Sequence, residues 1–166
     1  MTPEEFTRKL QADKQAFKNW FDNDLPVIVG VEAVNHFTES FQNEGFTDEG
    51  LAKWQEVKRR QNPKLGKRGK ELKNQKASVK QPILTKSGDL GRSIEYTSAP
   101  GEVVVSADTM RVGSENDYAS AHNEGTTTAG RGNRTTIPKR QFIGHSKVLE
   151  EKIMKMSRTQ LIYIFK

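Results

Sequence analysis

Ser93-Ile94-Glu95-Tyr96-Thr97-Ser98-Ala99-Pro100-Gly101-Glu102-Val103-Val104-Val105-Ser106 is where the hydrophobic period of this chain changes. Residues 93–97 alternate apolar and polar side chains, Ala99-Pro100-Gly101 supplies a turn, and residues 102–106 continue as a β-branched run. Asp108-Thr109 provides a further turn, and Met110-Arg111-Val112-Gly113 has the composition of a short third strand. The reading is a three-stranded antiparallel meander, with one face for helices to cover and edges left to manage.

On either side the period is helical. Phe6, Leu10, Phe17, Trp20 and Phe21 form a stripe over residues 1–23. Asp24 suits an N-cap and Pro26 a first turn, and Val27, Val31, Val34, Phe37 and Phe41 recur every three or four residues. Asn43-Glu44-Gly45 then offers a glycine stop. Helical spacing is what burial requires, so these aromatics read as core. Downstream, a short helix is expected over Asp117–Asn123, stopped by Gly125. Residues 126–136 read as a flexible loop, and Ser146–Phe165 as a terminal helix with Leu149, Ile153, Met156, Leu161 and Ile164 on its apolar side. The predicted fold is α+β, a single domain over 1–166, with N-terminal helices and a C-terminal helix packed on a small antiparallel sheet and long loops between them.

The composition narrows the function. The chain has 166 residues, 33% of them hydrophobic, and no cysteine, which excludes a disulfide scaffold, a Cys zinc site and a thiol nucleophile. Its longest apolar runs, Val27–Val31 and Leu161–Phe165, fall far short of the roughly 20 residues that span a bilayer. Its opening Thr2-Pro3-Glu4-Glu5 lacks the basic-then-apolar order of a signal peptide, so a soluble chain made in the cytoplasm and making no membrane contact is expected.

The net charge is +6, from 27 Lys and Arg against 21 Asp and Glu. It is unevenly placed. Residues 1–52 carry 4 basic and 10 acidic groups, residues 53–80 carry 11 and 2, and residues 81–166 carry 12 and 9. The excess therefore lies in one stretch, within a basic flexible loop expected over 55–82, with Lys58, Arg59, Arg60, Lys64, Lys67, Arg68 and Lys70 as its candidate contact surface. Too few apolar side chains lie there to offset the entropy of ordering. A basic arm can meet phosphates, so a small nucleic-acid-binding module using residues 58–80 is the alternative reading. No aromatic residue interrupts 55–80 to stack on bases, which weighs against it.

Catalytic signals are sparse. His36 lies within the second helix and His145 at the start of the last. His122, with Glu124 two residues on, is the best general-base candidate. No second His stands at metal-ligand spacing, so a structural His near a helix end is the better reading. Gly130-Arg131-Gly132 lacks the rest of a phosphate loop, and no serine stands in a G-x-S-x-G elbow. No enzyme, cofactor or metal is expected.

Three ordered segments carry a resemblance. Ile83-Leu84-Thr85-Lys86-Ser87-Gly88-Asp89-Leu90-Gly91-Arg92-Ser93-Ile94, Tyr118-Ala119-Ser120-Ala121-His122-Asn123-Glu124-Gly125 and Ile137-Pro138-Lys139-Arg140-Gln141-Phe142-Ile143-Gly144-His145-Ser146 are similar to segments of the phage virion morphogenesis family, which includes the Mu-like tail completion proteins. Phe41–Phe46 and Trp54 resemble the helix end and tryptophan that precede them, so the likeness spans roughly residues 25–165. Under it, Trp54, Leu84, Gly88, Leu90, Tyr118, His122, Gly125, Pro138, Arg140 and Phe142 specify the fold, with Arg140 paired to an acidic group within or between subunits. The resemblance implies a structural protein of the tail completion, tail terminator or head–tail junction type. It would work as a ring-forming homo-oligomer on the tail tube or head connector, in the virion and, during assembly, the host cytoplasm. Incidental DNA contact by the basic loop stays open.

Overall fold

A computed structural model describes residues 1–61, 80–85, 88–100, 102–107 and 118–166. Two helices open the chain, α1 (Pro3–Asn19) and α2 (Leu25–Asn43), joined without a break by a π-helical turn over Trp20–Asp24. Asp24 does not cap α2 as expected. Its backbone is right-handed helical and its side chain makes no capping bond. Pro26 explains the turn: its ring would clash with the carbonyl four residues back in a straight α-helix, and the wider π-turn accommodates it.

The stop of α2 also differs from expectation. Glu44, at φ 48°, takes the left-handed position, and Gly45 opens the hairpin β1 (Gly45–Thr47) to β2 (Leu51–Lys53). A Cβ on Gly45 would come within 2.6 Å of the Ala52 carbonyl oxygen, so the glycine serves the close strand approach. One helical turn follows, α3 (Lys58–Gln61), inside the stretch expected to be a loop.

After the basic segment, α4 (Asp89–Arg92) leads into β3 (Ile94–Ala99), which pairs with β4 (Glu102–Ala107) in the antiparallel register Ile94 to Ala107. The expected third strand at residues 110–113 lies outside the described residues. α5 (Tyr118–Asn123) comes next. Residues 126–136, expected as a loop, form a hairpin of β5 (Thr126–Ala129) and β6 (Thr135–Ile137), with an irregular register between Thr126 and Ala129. α6 (Lys147–Ile164) closes the chain, with Ser146 as N-cap through its hydroxyl and the Leu149 N–H. The described strands thus form three separate two-stranded antiparallel sheets in an α+β fold.

α2 is the central element, packed on β3 and β4 along one side and against α6. Its buried residues are Pro26, Gly30, Ala33, Phe37, Ser40 and Phe41. Val27 and Val31, expected inside, are exposed instead. Gly30 sets this rotation, because any Cβ there would overlap the Tyr96 ring, and the hairpin therefore lies directly on the glycine. The core gathers Phe37, Phe41, Phe46, Trp54, Ile83, Leu90, Ile94, Ala119, Phe142 and Leu149 around the C-terminal half of α2. α1 contributes nothing to it. Phe6, Leu10 and Phe21, expected as core, are exposed, and no residue of α1 is buried.

Candidate functional site

The motif residues converge on the core. Phe142 is 1% exposed, and its ring lies 5.2 Å from that of Phe41, which meets Trp54 edge-on at 5.6 Å. The Trp54 indole donates to the Gln141 carbonyl at 2.7 Å, and its backbone N–H donates to the Glu44 carbonyl at 2.8 Å. Leu90 is buried, and Leu84 packs against the cluster with a left-handed backbone at φ 59°. Gly88 and Gly125 sit at φ 78° and 77°, where a side chain would be strained. Pro138 is half-buried, and Tyr118 is the first residue of α5. Of these, Trp54, Leu84, Leu90 and Phe142 meet around one centre.

Asn123 does more than the sequence suggests. Its Oδ1 accepts the Phe142 and Ile143 N–H groups at 2.9 and 3.0 Å, and Arg140 N–H donates to the His122 carbonyl at 2.8 Å. The segment leading into α6 is thus hung from the end of α5. At the far end of that segment, the Ser146 hydroxyl donates to the Thr47 carbonyl at 2.9 Å, and Asp48 accepts the Lys147 N–H at 2.8 Å. Asn123 and Asp48 carry no periodic signal, because each satisfies backbone groups about 20 and 99 residues away.

His122 and Glu124 do not form a base and its partner. Glu124 accepts from Asn123 at 2.7 Å and lies 3.6 Å from Lys139. His122 is half-buried, and burial with the neighbouring Arg140 charge holds its pKa below 6.5. His36 binds the Thr47 carbonyl at 2.9 Å and stacks edge-on against Phe46, whereas His145 faces Glu150 at the surface. Among the described residues no group of acidic and histidine side chains is placed to hold a metal. Arg140 is 7% exposed; it donates to the Gln55 carbonyl at 3.2 Å, its Nε has no partner, and no carboxylate lies in ion-pair range among the described residues. The expected acidic partner within the chain is therefore not seen there.

The basic candidates divide. Arg60 forks onto the Glu44 carboxylate at 2.5 and 2.8 Å, and Glu44 Oε1 also accepts the Ile83 N–H at 2.9 Å. That guanidinium holds the Glu44 pKa down at about 2. Arg59 donates to the Gln81 and Pro82 carbonyls at 2.8 and 2.9 Å. Arg59 and Arg60 are thus anchors that tie the two ends of the basic segment to the helix end. Lys58 is exposed, and Lys64, Lys67, Arg68 and Lys70 lie outside the described residues.

The surface that sequence reasoning missed is apolar. Phe6, Leu10, Phe21, Val27, Ile28 and Val31 on the N-terminal helices, and Met154, Ile162, Tyr163 and Phe165 towards the C-terminus, are all exposed. The helical stripe was legible, but which stripe faces inward depends on what covers it.

Trp54, Leu84, Leu90 and Phe142 are thus given over to packing, while the apolar side chains named above stay exposed. Residues 52–161, about two thirds of the chain, match the model of the phage virion morphogenesis family. The chain belongs to that family, which gives it a role in phage virion morphogenesis and associates it with the virion. Trp54 and all three motif segments fall inside the match, and Phe41–Phe46 falls outside it. Comparison with curated proteins and with solved structures gives no match. Among the described residues no helix is long and apolar enough to cross a membrane.

Proposed function

We propose that this protein is a structural subunit of the tail completion or head–tail junction type, acting by assembly with further copies of itself onto the tail tube or head connector. The observation that carries the reading is the set of exposed apolar side chains on the N- and C-terminal helices, Phe6, Leu10, Val27, Ile28, Val31, Met154 and Ile162, on a chain of this family. Large apolar patches on small proteins mark surfaces that other proteins cover. The mechanism is binding: a subunit contact repeats by rotation until a ring closes, and the ring caps a symmetric tube. Lys58, exposed beside the Arg59 and Arg60 anchors, is the described part of the basic stretch that this reading turns to the connector, the tube or the DNA path.

The test is capping. Purified protein added to tails that lack it should form rings and bind one tail end in negative-stain micrographs. A chain that neither forms rings nor attaches to tails or connectors refutes the reading. Titration with duplex DNA separates the nucleic-acid alternative, which requires binding that falls steeply with salt; no retention at low salt removes it.

A further inference from the structure

Two uncovered surfaces lie at opposite ends of the N-terminal helix. α1 is built to hold its shape: Thr2 and Glu5 form a capping box, and Lys9–Asp13 and Lys18–Asp22 are ion pairs one turn apart at 3.1 and 2.6 Å. Yet none of its side chains is buried. Phe6 and Leu10, 57% and 55% exposed, stand in an i, i+4 row that continues to Lys14. Lys14 has no carboxylate in ion-pair range among the described residues. Helical stability in proteins comes mostly from packing an amphipathic face, and this row stays exposed.

The second surface is a groove of about 520 Å³ between the start of α2 and the second half of α6. Trp20, Leu25 and Ile28 line one wall, Met156 and Gln160 the other, and Asp24 stands exposed at the groove. Among the described residues Asp24 has no cation in ion-pair range and the buried Trp20 indole N–H has no acceptor. The chain cannot close this groove with its own row. Leu10 and Trp20 are ten residues apart on one continuous helix, which holds them about 15 Å apart.

We propose that the Phe6–Leu10 row of one copy seats in the α2–α6 groove of a second copy, with Lys14 set against Asp24. A second copy is the occupant because the chain carries both halves, an apolar row for the Trp20, Leu25, Ile28 and Met156 side chains of the groove and an unpaired lysine for its unpaired aspartate. Helix-in-groove docking uses an i, i+4 row of this kind. Each copy offers its row once and its groove once, so the contact is heterologous and runs head to tail until rotation closes it. The inference rests on the assembly reading and names the interface that reading needs.

The test uses the full chain in three forms: wild type, a row variant (Phe6→Asp with Leu10→Asp) and a groove variant (Ile28→Arg), with mass by light scattering and helicity by circular dichroism. All substituted positions are exposed, so folding is retained. Wild type should be oligomeric and each variant monomeric. An equimolar mixture should give a 1:1 dimer that grows no further, because only the groove variant's row and the row variant's groove are intact. Lys14→Asp alone should weaken association about tenfold, and Lys14→Asp combined with Asp24→Lys should restore it. Variants that oligomerise like wild type, a mixture that stays monomeric, or a monomeric wild type would each overturn this interface. Tail capping by wild type reads separately: capping that survives the row substitutions leaves the assembly reading standing and this contact refuted.

Discussion

Replacing Glu44 by Gln should remove a pH-dependent part of the stability of this fold. Glu44 sits in a left-handed position at the end of α2, and its carboxylate holds both Arg60 nitrogens and the Ile83 N–H. Its pKa is held at about 2, against 4.5 for a free glutamate. The unfolded chain therefore takes up a proton near pH 4.5 that the folded chain refuses until about pH 2. The stabilisation is complete above the unfolded pKa and is lost as the pH falls through that window. At about 1.4 kcal/mol per pH unit the gap sets a ceiling of about 3 kcal/mol. The Glu44 and Arg60 side chains are 25% and 21% exposed, and solvent screening lowers the working figure to about 1–2 kcal/mol. Gln keeps an acceptor for the Ile83 N–H and keeps the backbone strain, so the difference isolates the charge. Urea unfolding at pH 7 should show the variant weaker by that amount, with a melting temperature lower by about 2–8 °C. The two proteins should converge as the pH approaches 2. A deficit that is the same at pH 2.5 and pH 7 would refute the ion-pair account and assign the loss to packing.

Trp54→Phe keeps an aromatic ring against Phe41 but leaves the Gln141 carbonyl without its donor; denaturant unfolding should show a loss of about 1–2 kcal/mol. Asn123→Ala strips the acceptor from two N–H groups and should cost about 2–3 kcal/mol, with faster amide exchange at Phe142 and Ile143 as its signature. Arg140→Met replaces a buried guanidinium that has no carboxylate among the described residues, so its effect on monomer stability should stay within about 1 kcal/mol; a loss above 3 kcal/mol would show that a counter-charge was there. His122, half-buried beside Arg140, should titrate below 6.5 by NMR. Because the unfolded state binds that proton first, stability should fall as the pH drops below about 6.5, and His122→Gln should flatten that slope.

Local pattern carried much of the architecture into view. The alternation over 93–97 and the valine run over 102–106 specify β3 and β4, since strand period depends only on neighbours a few residues apart. The terminal helix from Ser146 follows from its apolar period, and Trp54, Leu90 and Phe142, which the family resemblance marks as fold-specifying, lie in the core. The +6 charge resolves, from counting alone, into one basic stretch between an acidic N-terminal segment and a nearly balanced remainder.

Tertiary structure decided the rest, because the deciding contacts join residues remote in sequence. Gly45 looked like the helix stop, but strand β2 crowds it, and Glu44 takes the left-handed position beside Arg60. Val27 and Val31 shared a helical period with Phe37 and Phe41, yet the approach of Tyr96 to Gly30 turns α2 so that they face out. Of the two arginines that open the basic stretch, both became anchors for carbonyls and a carboxylate on other segments. The sequence determined that α1 would be an amphipathic helix. Only the packed structure showed that nothing within the described chain covers its apolar row, because periodicity reports which side of a helix is apolar and not what lies against it.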